Sequence, residues 1–331
     1  MLQQMNHRSA PAGGAHRLRC IPYSVAVFDV GLSDLVARDG GLARSSLSAC
    51  GVTYDEMETN PAEQNLRVAT RLGHLHVRIV GPDELPTAVL WPSMFSDGHA
   101  FERVVPLLNR HRRLVIVDPP GLGKSDPLGV ISDIDGVAGA AMDLLMGLDL
   151  PLPVDWVGEA FGGHVGYKLA RDPKVLRSLV AISAPPETNP ELLRMTRVLL
   201  AVVGIVGRRP VTSLVASKQV TPTSLRDPTV AGVVRRAFLA NTRRSLVNAT
   251  RSFILGRRDV RSELPDIAVP TLIAATTARG EWTVEGAKAA AALIPGARFA
   301  TIDGASANSS LEQPQATAGV ILKFWEGSPE C

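Results

Sequence analysis

A chain of 331 residues, 45% apolar and 20% charged, is long enough for one large α/β domain with an insertion or for two smaller domains. Its net charge of +3 is too mild to imply a nucleic-acid partner, and three cysteines (Cys20, Cys50, Cys331) offer neither a disulfide framework nor metal-ligand spacing. The charge is uneven: residues 190–263 carry 14 Arg/Lys against 4 Asp/Glu, a local +10 that leaves −7 for the remainder.

In chain order, residues 1–56 are rich in Ala, Gly, Ser and Arg with weak periodicity, and they read as a disordered or mis-called extension with an alternative start at Met57. They hold no apolar run long enough for the core of a signal peptide. A hairpin-like pair follows, RVATRLG and HLHVRIVG. Short apolar strands are then expected at 87–91, 113–118, 154–158, 178–183, 270–275 and 297–302. Helical patterns fall between and after them at 99–109, 131–147, 161–171, 284–294 and 313–326. Buried strands alternating with amphipathic helices imply a mostly parallel sheet covered on both faces. Between 184 and 268 the alternation stops and the pattern is helical throughout. The most apolar stretch there, VLLAVVGIVG at 198–207, is bounded by Arg197 and Arg208. It is far shorter than the roughly 18 to 20 residues a membrane span requires. The composition therefore reads as cytoplasmic, with no membrane span.

Four ordered motifs carry a more specific signal. WPSMFSDGHAF (91–101) follows the third strand, VDPPGLGKSD (117–126) the fourth, and VGEAFGGHVGYKLA (157–170) forms a sharp strand-to-helix turn; IPGARFATIDGASANSSLEQP (294–314) lies near the end. Together they resemble the α/β-hydrolase superfamily over roughly residues 66–326. The resemblance implies an α/β-hydrolase fold: a core at 57–184 and 269–328, with a helical lid at 185–268 inserted after the sixth strand. It also implies a Ser-His-acid triad, and here the sequence departs from the family. The nucleophile position holds Ala160, the base position Ala307 and the acid position Arg279, with Glu281 two residues on. All seven histidines precede residue 165, so nothing downstream can supply the base.

What the resemblance leaves in place is the oxyanion-hole backbone, at Ser93 and Phe161, with Trp91, Met94, Phe95 and Phe161 as expected walls of a ligand pocket. Glu159 and His99 (the latter beside Asp97) are the candidate substitute acid/base groups. Asp118 reads as a turn cap. The Gly-Lys-Ser within PPGLGKSD is no phosphate loop, because Asp118 stands where that motif needs Gly and Pro119 and Pro120 lack N–H donors. Arg236, Arg243, Arg251 and Arg258 recur at near-heptad spacing, which on a helix suggests a basic face for an anionic ligand or an acidic partner. No aromatic interleaving points to nucleic acid, and no cofactor or metal is implied. The expected function is a non-hydrolytic protein binding a small apolar or acyl ligand beneath the lid. The alternatives are a triad-independent lyase, isomerase or cyclase using Glu159 or His99, and a conventional ester hydrolase. Without nucleophile and base, a hydrolase site keeps only about 10³- to 10⁴-fold over water.

Overall fold

The structure is a computed structural model and describes residues 63–278 and 282–327. The expected extension at 1–56, Arg279 and Glu281 lie outside the described residues. Eight strands form one sheet: β1 (Glu63–Thr70), β2 (Gly73–Val80), β3 (Thr87–Trp91), β4 (Arg113–Val117), β5 (Val154–Glu159), β6 (Leu176–Ile182), β7 (Thr271–Thr276) and β8 (Arg298–Ile302). Their order is β1-β2-β4-β3-β5-β6-β7-β8. The β1–β2 hairpin is antiparallel, β2 pairs antiparallel with β4, and every later pairing is parallel.

The two faces of the sheet build separate cores because successive strand residues point to opposite sides. Val89 and Trp91 of β3 and Trp156 of β5 face one cluster; Ala88, Leu90 and Val157 face the other. The second cluster packs against α1 (Val105–Leu108) and α10 (Pro314–Glu326). The first takes α2 (Ile134–Gly147), α3 (Phe161–Leu169) and α8 (Val284–Ala292). Burial of β3 and β5 on both sides explains why their sequences are apolar runs rather than alternating patterns. One expected element divides. The helix read over 99–109 becomes a 3₁₀ turn, Gly98–Phe101, followed by the single turn of α1. Pro106 lacks an N–H and is tolerated only in the first turn of a helix, so it sits at the start of α1 instead of inside a longer one.

Between β6 and β7 the chain is helical: α4 (Pro190–Val206), α5 (Thr212–Gln219), α6 (Pro228–Ala240), α7 (Arg243–Thr250) and a π-helical turn at Arg251–Leu255. Specific polar contacts tie these helices to the sheet's carboxyl-end loops. Ser245 Oγ of α7 accepts from Leu128 N at 2.9 Å and donates to the Gly121 carbonyl at 2.8 Å. The Thr221 N–H donates to Glu312 at 2.7 Å, on α9 (Ser309–Glu312). The arginine series does not share one helical face. Asn241 and Thr242 take extended backbone angles, with Thr242 capping α7 through the Ser245 N–H, and this separates Arg236 from Arg243. Arg251 opens the π turn and Arg258 lies beyond it. All four are exposed, and Arg243 donates to the Gly204 carbonyl of α4.

Asp118, at the end of β4, organises the loops above the sheet. Its carboxylate accepts from Gly98 N at 2.7 Å and Lys124 N at 2.8 Å and pairs with His76 Nδ1 at 2.9 Å. Burial acts to raise its pKa, but the His76 contact and the two backbone N–H donors outweigh it and hold the carboxyl below the usual range. A depressed pKa contributes stability that is present above the unfolded value, near 3.9 for Asp, and is lost as pH falls through the lower folded value. We expect Asp118→Ala to cost about 3 kcal/mol at neutral pH, since it strands three donors. The cost should shrink below about pH 4, where the unfolded chain's Asp118 takes up a proton before the folded one does. Urea titrations of both proteins at pH 3 and pH 7 test it; an equal difference at the two values sinks the electrostatic account.

Candidate functional site

β5 ends at Glu159 and α3 begins at Phe161, so a single residue makes the reversal between them. That residue, Ala160, sits at φ 45° and ψ −98°, in a region alanine rarely occupies. Its N–H donates to the Ile182 carbonyl of β6 at 2.8 Å, and its own carbonyl accepts from Gly163 N and His164 N. The turn therefore has the strained form that lifts a nucleophile out of a sheet, and it presents a methyl group.

Ala160 opens into a cavity of about 150 Å³ lined by Ser93, Met94, Phe95, Phe161 and Ala307 on the sheet side. Leu192, Met195, Thr196 and Leu199 of α4 form one wall; Leu214, Val215, Lys218 and Gln219 of α5, with Phe253, Ile254 and Arg257, complete it. Aromatic packing holds the helices over the opening. Phe253 stacks on Phe161 with ring centroids 4.9 Å apart, and Phe238 meets Phe95 edge-on at 5.7 Å. Ala160 and Ala307, about 150 positions apart in sequence, thus face the same space.

At one side of the cavity a buried polar cluster links three loops. The Ser93 hydroxyl lies 2.8 Å from Asn308 Oδ1 and 3.0 Å from Gln219 Oε1, and Ser96 Oγ donates to Asn308 Oδ1 at 2.9 Å. The N–H groups of Ser93 and Phe161, the expected oxyanion-hole donors, meet no backbone carbonyl among the described residues.

Several expected residues lie elsewhere. Trp91 is fully buried, stacked on Trp156 at 5.3 Å, and backs Phe161 without reaching the cavity. Glu159 points away from it: on β5 it shares the face of Val157, where Oε1 accepts from Ser309 Oγ and Ser310 N, both at 2.8 Å. Burial pushes its pKa up to about 7, against the lowering effect of those two donors and with a further rise from Glu312. His99, in the 3₁₀ turn, pairs at 3.0 Å with Asp97, which caps that turn, and this hydrogen bond raises its pKa against the effect of partial burial. Neither Glu159 nor His99 lines the cavity. Among the described lining residues there is no histidine and no carboxylate.

The walls contributed by α4 and α5 were not anticipated individually. Leu192, Met195, Thr196 and Leu199 do follow the i, i+3, i+4, i+7 rule, so an inward stripe on α4 is readable from spacing alone. Gln219 and Arg257 belong to no pattern. Among the described residues no group of His, Cys, Asp or Glu could hold a metal ion, and no helix is long and apolar enough to cross a membrane.

Comparison with known proteins agrees with this fold. The fold is similar to the enol-lactonase of Burkholderia xenovorans (TM-score 0.72, 22% identity, covering 79% of this chain and all of that one). It is also similar to a hydrolase from Pseudomonas aeruginosa (TM-score 0.71, 26% identity, 79% and 98% covered). In sequence, 245 residues are 26% identical to the polyketide synthase ThaQ of Burkholderia thailandensis; the match takes in 72% of this chain and only 12% of that much longer protein. The model of the alpha/beta hydrolase family matches residues 88–320, and with an eight-stranded sheet in this order and a one-residue turn between β5 and α3, the chain belongs to that family.

Proposed function

We propose that this member of the family does not hydrolyse its ligand and instead binds a small apolar or acyl molecule in the cavity between the sheet's carboxyl end and the helices at 190–255, which act as its lid. The observation that carries this is the pair of methyl groups, Ala160 and Ala307, on one cavity wall where the family's nucleophile and base are expected. Ser93, the one serine among the described lining residues, is bonded to amide side chains, which cannot take its proton. The lining is otherwise mainly apolar, which suits an uncharged ligand body. A cavity near 150 Å³ is of the size that accommodates benzene.

A triad-independent enzyme using Glu159 or His99 is supported less well, because a general base must come within hydrogen-bond reach of its substrate and both side chains are outside the lining. The exposed arginines of the lid, Arg236, Arg243, Arg251 and Arg258, leave an acidic partner or an anionic group at the outer surface as a second element of the proposal.

The test is turnover of a p-nitrophenyl ester and lactone panel by the full chain beside Ala160→Ser, Glu159→Gln and His99→Ala. Rates at the buffer background for the wild type and for Ala160→Ser are expected, since a restored hydroxyl still lacks a base. A saturable wild-type rate lost in Glu159→Gln or His99→Ala would establish the enzyme reading in place of this one.

A further inference from the structure

We infer that the side-chain amide of Gln219 is a hydrogen-bond donor built to hold the carbonyl oxygen of a neutral ligand, so that the cavity selects ketones, esters or lactones over hydrocarbons of the same shape. This rests on the binding reading above and adds the chemical class of the ligand.

The orientation of the amide follows from the network around it. Asn308 approaches the backbone carbonyl of Gln219 at 3.1 Å, and a backbone carbonyl only accepts, so the Asn308 atom there is Nδ2. The same Nδ2 is 3.0 Å from the side-chain amide of Gln219, whose facing atom must accept in turn and is Oε1. Ser93 Oγ approaches that oxygen as well. Gln219 Nε2, with two N–H donors, is thereby turned away from the cluster. It has no acceptor among the described residues. Nor is it one of the polar atoms sealed from all open space without a partner, such as Glu159 Oε2 or Ser310 Oγ. Gln219 is 8% exposed and lines the cavity, so the open space its amide meets is the cavity.

Burying an amide donor without a partner is costly, and nine-tenths of this residue is buried. The end of α5 is also held rigidly by the Thr221–Glu312 bond just beyond it, so the donor is positioned before a ligand arrives. A carbonyl oxygen has the lone pairs to meet it and can be buried without the penalty of a charge. The two cations of the lining do not supply an anion site at this end: Lys218 is exposed, and Arg257 donates to the Glu187 carbonyl at 2.8 Å and lies 3.2 Å from His164 Nε2.

Acetophenone and ethylbenzene, which differ chiefly in one carbonyl oxygen, are suitable probes, with benzoate as the anionic arm. We expect titration calorimetry on the full chain to show acetophenone binding about tenfold more tightly than ethylbenzene, as one hydrogen bond supplies. Benzoate should bind more weakly than acetophenone. Gln219→Met should abolish the preference for acetophenone over ethylbenzene, because the ketone loses its hydrogen bond and the hydrocarbon no longer covers an unmet donor. That variant keeps side-chain length, and Asn308 Nδ2 and Ser93 Oγ keep the Gln219 carbonyl and Asn308 Oδ1 as partners. In the wild type, carbonyl-labelled acetophenone should show its infrared stretch at lower frequency when bound than in hydrocarbon solvent, a readout that needs no variant. An acetophenone preference that persists in Gln219→Met, an unshifted stretch, or tighter binding of benzoate overturns the inference while leaving the cavity as a binding site. Failure of all three probes to bind the wild type removes the binding reading and this inference together.

Discussion

Glu159→Gln is expected to make the protein more stable at pH 8, by up to about 3 kcal/mol, and to leave its stability at pH 4 nearly unchanged. The Glu159 side chain is completely buried at the end of β5, with Oε1 bonded to Ser309 and Ser310 and Oε2 without a partner. Burial is the main cause of a pKa near 7, raised from 4.5. A carboxyl whose folded pKa lies above its unfolded value contributes stability that is fully present below the unfolded value. That stability drains away as pH rises toward the folded one. The window is therefore about pH 4.5 to 7, and the wild type should lose stability across it. Glutamine copies the neutral acid in shape, keeps an acceptor for Ser309 and Ser310, and does not titrate. Chemical denaturation of both proteins between pH 4 and pH 8 isolates the effect, since His99 and the other titrating groups are common to both. Parallel stability curves would show that Glu159 carries no such penalty.

Gly158→Ala is expected to destabilise by at least about 3 kcal/mol, and it is the substitution most apt to prevent folding altogether. A Cβ at residue 158 would stand 2.2 Å from the carbonyl carbon and oxygen of Gly162 and 2.4 Å from Gly163 N. These are backbone atoms of the helix that follows the turn, and β5 is held between β3 and β6, so neither side can retreat. Gly162 is under the same constraint from the Trp91 carbonyl, 2.1 Å from its would-be Cβ. Gly232→Ala is the contrasting control. Nothing lies within 4 Å of its would-be Cβ in the middle of α6, and alanine there should add about 0.5 to 1 kcal/mol. Thermal melts of the two variants separate steric from conformational effects. A melting temperature for Gly158→Ala close to the wild type would show that the turn is not closed as tightly as the backbone distances imply.

The contrast between these glycines explains why a turn shaped for a nucleophile persists around an alanine. The close packing of α3 on β5 needs Gly158 and Gly162 whatever side chain stands at residue 160. The apolar strands and most of the helices were legible in the sequence, because each follows from local spacing: period two or uninterrupted burial for strands, 3.6 for helices. The absence of a histidine after residue 164 was legible for a simpler reason, since it is a count. The sequence also reads correctly that helices replace the alternating pattern between β6 and β7.

Three matters were decided only by tertiary structure. The face to which Glu159 turns depends on the strand's register, and that register buries it against Ser309 and Ser310 instead of the cavity. The division of the arginine series depends on Asn241 and Thr242 adopting extended angles, which local propensity does not dictate. The orientation of the Gln219 amide depends on Asn308, 89 residues away, fixing which end of it is left over. Local spacing determines which residues can share an element; which polar groups find partners, and which are left over, is settled by segments distant in the chain that meet only when the sheet and the helices at 190–255 have packed.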